Sequence, residues 1–185
     1  MPNHFVQGMT LPLTIVASAL IAVLAIAGFE MVPSTPEADA TMRIEPRVYT
    51  AAYGERVTLE VMVDSLIPVN VFAGELTFNE RVLQVESISY NTSIADLWAV
   101  LPWYSNGDGT LNFGGGTTAP GGFVGTGSLI SVTFKTLDAG DGEVVMHNAR
   151  ILKHDGLGTD VALREPIDTL LTVTDPAQSF ESTAR

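Results

Sequence analysis

The sequence predicts an all-β domain, a sandwich of two sheets with about eight strands, preceded by one apolar amino-terminal helix. Three observations carry this reading. After Thr41 the apolar residues recur with a period of two instead of 3.6; glycine, proline and asparagine punctuate the chain at short intervals; and no long amphipathic helix follows the amino-terminal segment.

The clearest alternation runs from Arg56 to Asp64, where Val57, Leu59, Val61 and Val63 share one face and Thr58, Glu60, Met62 and Asp64 the other. A second segment sets Phe72, Gly74, Leu76 and Phe78 against Ala73, Glu75 and Thr77. A third sets Ile130, Val132 and Phe134 against Ser131, Thr133 and Lys135, with Leu129 blurring its start. Further strands are expected at Arg43–Tyr49, Leu83–Ser89, Thr110–Gly114, Glu143–Leu152 and Thr169–Thr174. Asn106-Gly107-Asp108-Gly109 is a hairpin signal joining the Trp103 region to Leu111, because asparagine and glycine accept the positive φ of tight turns. The glycine-rich run from Gly114 to Gly127 is expected to be a loop.

Composition bounds the function. The chain of 185 residues suits one folded domain with appendages, and 9 basic against 21 acidic residues give a net charge of -12, which repels phosphate backbones and excludes nucleic acid as a partner. With no cysteine there is no disulfide, no thiolate metal site and no cysteine nucleophile. The glycine-rich run lacks the lysine of a phosphate-binding loop, so no nucleotide cradle is expected.

From Leu11 to Phe29 the chain carries no charge, a stretch long enough as a helix to cross a hydrocarbon core of about 30 Å. Residues 1–29 are therefore a signal peptide or a transmembrane anchor, and residues 30–41 a linker. Ala25-Ile26-Ala27 and Ala38-Asp39-Ala40 are candidate cleavage patterns. The body, residues 42–174, is then extracytoplasmic, secreted or membrane-anchored at the cell surface, and residues 175–185 form a polar tail. Gly8-Met9-Thr10-Leu11 ahead of the apolar run also resembles the processing site of type IV pilin-like filament subunits, although Leu13 stands where that family usually carries glutamate.

The order of motifs resembles a cohesin domain over about Arg43 to Thr174. Its carriers are Tyr53-Gly54-Glu55-Arg56-Val57-Thr58-Leu59, then Phe72 to Leu83 with Asn79-Glu80 where the family has Asp-Pro, then Gly127 to Lys135, and Ala149-Arg150-Ile151-Leu152 before Asp155-Gly156. The resemblance implies a nine-stranded jelly roll that binds protein, typically a dockerin, without chemistry. In cellulosomal members the dockerin face carries polar residues on the strand before the Tyr-Asp-Pro turn, where this chain has Val71 and Ala73. Cohesins are close in architecture to carbohydrate-binding modules, so polysaccharide is the second candidate ligand.

An enzyme is not expected, since no set of titratable residues has catalytic spacing. His147 and His154 are seven residues apart on one strand and its turn, about 20 Å if extended. No G-x-S-x-G occurs. Asp108, Asp138, Asp141, Asp155 and Asp160 fall in loops but complete no calcium-binding motif, so neither a metal nor a cofactor is expected. The one aromatic cluster is Trp98, Trp103 and Tyr104, the candidate surface for a protein or sugar partner. Within it Trp98, among apolar neighbours, is expected to be buried, and Trp103 to face solvent.

Overall fold

The computed structural model describes residues 38–164 and 168–175; the expected apolar helix, residues 30–37 of the expected linker and all of the expected polar tail but Asp175 lie outside the described residues. Nine strands follow in order: β1 (Ala40–Glu45), β2 (Val48–Ala52), β3 (Arg56–Phe78), β4 (Leu83–Ser89), β5 (Leu97–Ser105), β6 (Thr110–Gly116), β7 (Phe123–Thr136), β8 (Gly140–Lys153) and β9 (Thr169–Thr174). Among the described residues every regular element is a strand.

The long β3 organises both layers. Its first half, residues 56–65, pairs antiparallel with β1 on one side and β7 on the other, and β4 continues from β7. At Leu66-Ile67-Pro68 the ladder slips, and the second half, residues 69–78, pairs with β6 and β8. Beyond these, β5 flanks β6, β9 flanks the start of β8, and β2 closes on β9 in parallel. One layer therefore runs β1-β3-β7-β4 and the other β8-β3-β6-β5. The alternation in the sequence separates the two halves of β3 and joins β1 and β2 into one expected strand, Arg43–Tyr49. Pro46, which offers no N–H, interrupts that strand after a cis Glu45-Pro46 bond.

The alternating residues do face inward. Val57, Leu59, Val61 and Val63 from one layer, and Phe72, Leu76 and Phe78 from the other, are buried in one core with Ile130, Val132 and Phe134. Phe78 meets Phe134 edge-on across the layers at 5.3 Å between ring centroids. Leu129 is buried too, beside Ile130, because a bulge opposite Val61 and Met62 inserts one extra residue and turns two successive side chains inward. That accounts for the blurred alternation there. Burying a side chain such as Phe134 contributes about 1.5–3 kcal/mol, which suits a domain held together without staples.

The run from Gly114 to Gly127 corrects the expectation of a loop. Gly114, Gly115 and Gly116 end β6, and Gly125 and Gly127 lie in β7, leaving only residues 117–122 between strands. The reason is steric. A Cβ at Gly115 would stand 2.7 Å from Trp98 Cε3, so glycine is what lets the indole lie on the strand. Local composition reports backbone freedom and says nothing of a ring arriving from the next strand.

Asn106 of the hairpin turn has a wider reach than a turn residue. Its side-chain oxygen accepts from the Val85 N–H at 2.8 Å, and its amide donates to the Val85 carbonyl at 3.0 Å. The turn thereby ties β5 and β6 to β4 of the other layer. Gly109 in the same turn has φ +62 and packs on the Phe78 carbonyl, a position closed to any side chain.

Candidate functional site

The candidate site is the outer face of β5, β6 and the second half of β3. On β6, Leu111, Phe113 and Gly115 turn inward, which leaves Asn112, Gly114 and Gly116 outward. Opposite these on β5 stand Trp103, Val100 and Leu97, and opposite them on β3 stand Glu75, Ala73 and Val71. Three cross-strand rows result: Leu97-Gly116-Val71, Val100-Gly114-Ala73 and Trp103-Asn112-Glu75. Because two of the three central positions are glycine, the face forms a trough with an apolar ridge along β5. Leu97 is 62 % exposed and Trp103 49 %, with Val100 and Leu101 exposed beside them. At the top of the trough Asn70, Val71, Leu97, Ala99, Gly115, Gly116 and Thr117 line a depression of 250 Å³.

The three aromatic residues take different places. Trp98 is half-buried, packed against the core and tilted on Tyr90 at 5.3 Å. Trp103 faces outward opposite Asn112, whereas Tyr104, still 37 % exposed, lies opposite the buried Leu111. Successive residues of a strand point to opposite faces, so Trp103 and Tyr104 do not form one flat platform. Sequence reading did not single out Leu97, Val100 and Leu101. The available signal was the run Leu97 to Trp103 itself, which is apolar throughout where a half-buried strand would alternate.

The charges carried by these three stretches of strand are all acidic. Within residues 69–78 and 96–116 the charged side chains are Glu75, Asp96 and Asp108. Each carboxylate is satisfied: Asp96 accepts from the Thr118 N–H and hydroxyl at 2.8 Å each, Asp108 from the Ser105 hydroxyl at 2.6 Å, and Glu75 from the Asn148 amide at 3.4 Å. On the neighbouring β8, Arg150 grips Asp160 through two hydrogen bonds, which raise the Arg150 pKa and hold the Asp160 carboxyl below its ordinary range. His147 Nε2 is 3.0 Å from the Thr77 hydroxyl.

As an edge, β5 is unsuited to pairing with another strand. Pro102 removes one N–H, and register irregularities fall between Trp98 and Val100 and between Val100 and Trp103. Its side chains, not its backbone, are what it offers. No group of three or more His, Cys, Asp or Glu side chains capable of holding a metal converges among the described residues. A larger depression of 610 Å³, lined by Glu45, Pro46, Arg47, Thr58 and Glu60, lies on the opposite layer.

No family model matches the chain, and no curated protein matches it by sequence. Solved structures do match. A non-cellulosomal cohesin from the hyperthermophilic archaeon Archaeoglobus fulgidus superposes with a TM-score of 0.59 at 17 % identity, over 80 % of this chain and 100 % of that one. A type I cohesin–dockerin complex from Clostridium thermocellum matches with a TM-score of 0.61 at 11 % identity, over 75 % and 96 %. A cohesin from Clostridium acetobutylicum gives 0.58 at 15 %, over 72 % and 91 %. At these identities the likeness is one of architecture. The described domain is a β-sandwich with the cohesin-like fold.

Proposed function

We propose that this chain is a non-catalytic, extracytoplasmic protein-interaction module that seats a partner protein, dockerin-type or other, on the outer face of β5, β6 and β3. The observation that carries the reading is the contiguous exposed apolar surface of Leu97, Val100, Leu101, Trp103 and Val71 on a small acidic domain. Surfaces of this kind, with an aromatic anchor beside a shallow depression, are where binding energy concentrates. The cohesin-like fold supports it, since cohesins of that architecture have been seen in complex with dockerins. Val71 and Ala73, in place of polar side chains, make an apolar contact the chief attraction, and Glu75, Asp96 and Asp108 favour a partner with basic flanks.

A photo-crosslinking side chain at position 100 tests this in the native envelope. A discrete protein adduct is expected there and none from position 133 on the opposite layer; adducts from neither, with the fold intact, would count against the reading. Carbohydrate binding is the second reading, favoured by the exposure of Trp103. It predicts glycan-array binding lost in Trp103→Ala, and blank arrays oppose it.

A further inference from the structure

The two ends of the sandwich are unlike. Residue 38 enters beside the β3 crossover, where the Leu66 N–H donates to the Asp39 carbonyl at 2.9 Å. Residue 175 leaves at the opposite end, where the Tyr53 N–H donates to the Thr174 carbonyl at 3.1 Å. The turns around that exit carry Glu55, Arg56, Glu80, Arg81, Asp108 and Asp138.

At the entry end three separate segments present apolar tips. Leu66, in the crossover, is 70 % exposed. Val124 is exposed at the start of β7, between Phe123, which pairs with Val69, and Gly125, which pairs with Ser65. Leu157, in the turn after β8, is 83 % exposed, and that turn is pinned to the crossover by the His154 N–H donating to the Pro68 carbonyl at 2.9 Å. Of the charged residues nearby, Lys153 and Arg164 stand among Asp39, Asp64, Asp96 and Asp155, a mixture of signs with acid in excess.

We propose that this end rests on a lipid bilayer, with Leu66, Val124 and Leu157 in the headgroup–acyl boundary. The proposal rests on the reading of residues 11–29 as a retained membrane anchor. Residues 30–37 can span at most about 28 Å, so an anchored chain holds the entry end within reach of the surface. Three apolar tips on a rigid scaffold are what interfacial seating requires, and the mixed charges suit zwitterionic headgroups. Seated so, the face of β5, β6 and β3 stands upright beside the membrane and open to a partner.

The chain has no cysteine, so a single nitroxide can be placed cleanly. In the full chain reconstituted in phosphatidylcholine vesicles, a label at Leu157→Cys is expected to lose about threefold or more of its accessibility to an aqueous nickel chelate and to gain oxygen accessibility, while one at Asp138→Cys, near the exit, changes in neither. In a chain also carrying Leu66→Ser and Val124→Ser, co-flotation should persist and the shielding at position 157 should fall. Equal accessibility at 157 and 138 in a co-floating chain overturns the seating alone. Shielding that survives the serine substitutions overturns the role of the tips, and a chain that does not float with the vesicles overturns the anchor and the seating together.

Discussion

The two outer faces of the sandwich are built from the same strand and differ in what they show to water. On the layer of β1, β3, β7 and β4, the outward Arg56, Thr58 and Glu60 of β3 find polar partners. Arg56 grips Glu86, the Thr58 and Thr133 hydroxyls are 3.2 Å apart, and Ser131 donates to Glu60 at 3.3 Å. On the layer of β8, β3, β6 and β5, the second half of the same strand presents Val71 and Ala73 to a glycine trough walled by Leu97, Val100 and Trp103. The first face is finished in solution. The second leaves apolar area uncovered, and that asymmetry separates a face that solubilises from one that receives a partner.

The strongest way to break the comparison is to remove the core that holds both faces. Phe134→Ala should cost about 3–5 kcal/mol in urea unfolding, since the ring is fully buried against Phe78. Both faces should be lost in a single transition. The next largest effect separates them. Val100→Glu should weaken partner capture by about 2 kcal/mol, some thirtyfold, while leaving the urea midpoint nearly unchanged, because the side chain is exposed. Thr133→Glu on the other layer should leave capture unchanged in the same assay.

Smaller effects sharpen the picture. Asn106→Ala strips the Val85 N–H and carbonyl of their partner and should cost about 1.5 kcal/mol in urea unfolding. Its consequence for capture should exceed that of Thr133→Glu, because the β5–β6 hairpin loses its tie to β4. The smallest effect is electrostatic. Hydrogen bonding to Arg56, assisted by the charges of Arg56 and Lys135, holds the Glu86 carboxyl below its ordinary value. A group with a lowered folded pKa contributes stability above its unfolded value that is lost as pH falls through the folded one. Glu86→Gln should therefore flatten slightly the decline of the urea midpoint in acid and leave it unaltered at neutral pH beyond the small loss of an exposed pair.

How far the fold was legible depends on where the determining contact lies. The inward faces of β3 and β7 could be read directly, because alternation is a property of the extended backbone and needs no knowledge of neighbours. The glycines of β6 could not, because Gly115 is in a strand on account of the Trp98 ring, which reaches it only through pairing with β5. Trp103 could be named as a surface residue, yet its company could not. Leu97, Val100 and Val71 join it only through the β5–β6 and β6–β3 registers, and the bulges of β5 shift that register twice.

By itself, then, the sequence determined the fold class, the inward face of most strands, the hairpin at Asn106 and the acidic character of the surface, all set by local backbone geometry and by composition. Only the tertiary structure decided that β3 serves both layers, that three glycines form the floor and packing surface of a strand, and that Leu97, Val100 and Trp103 line up beside Val71 and Ala73. The physical reason is that register and neighbour choice are made by contacts between residues far apart in the chain, where a shift of one position carries every side chain to the other face.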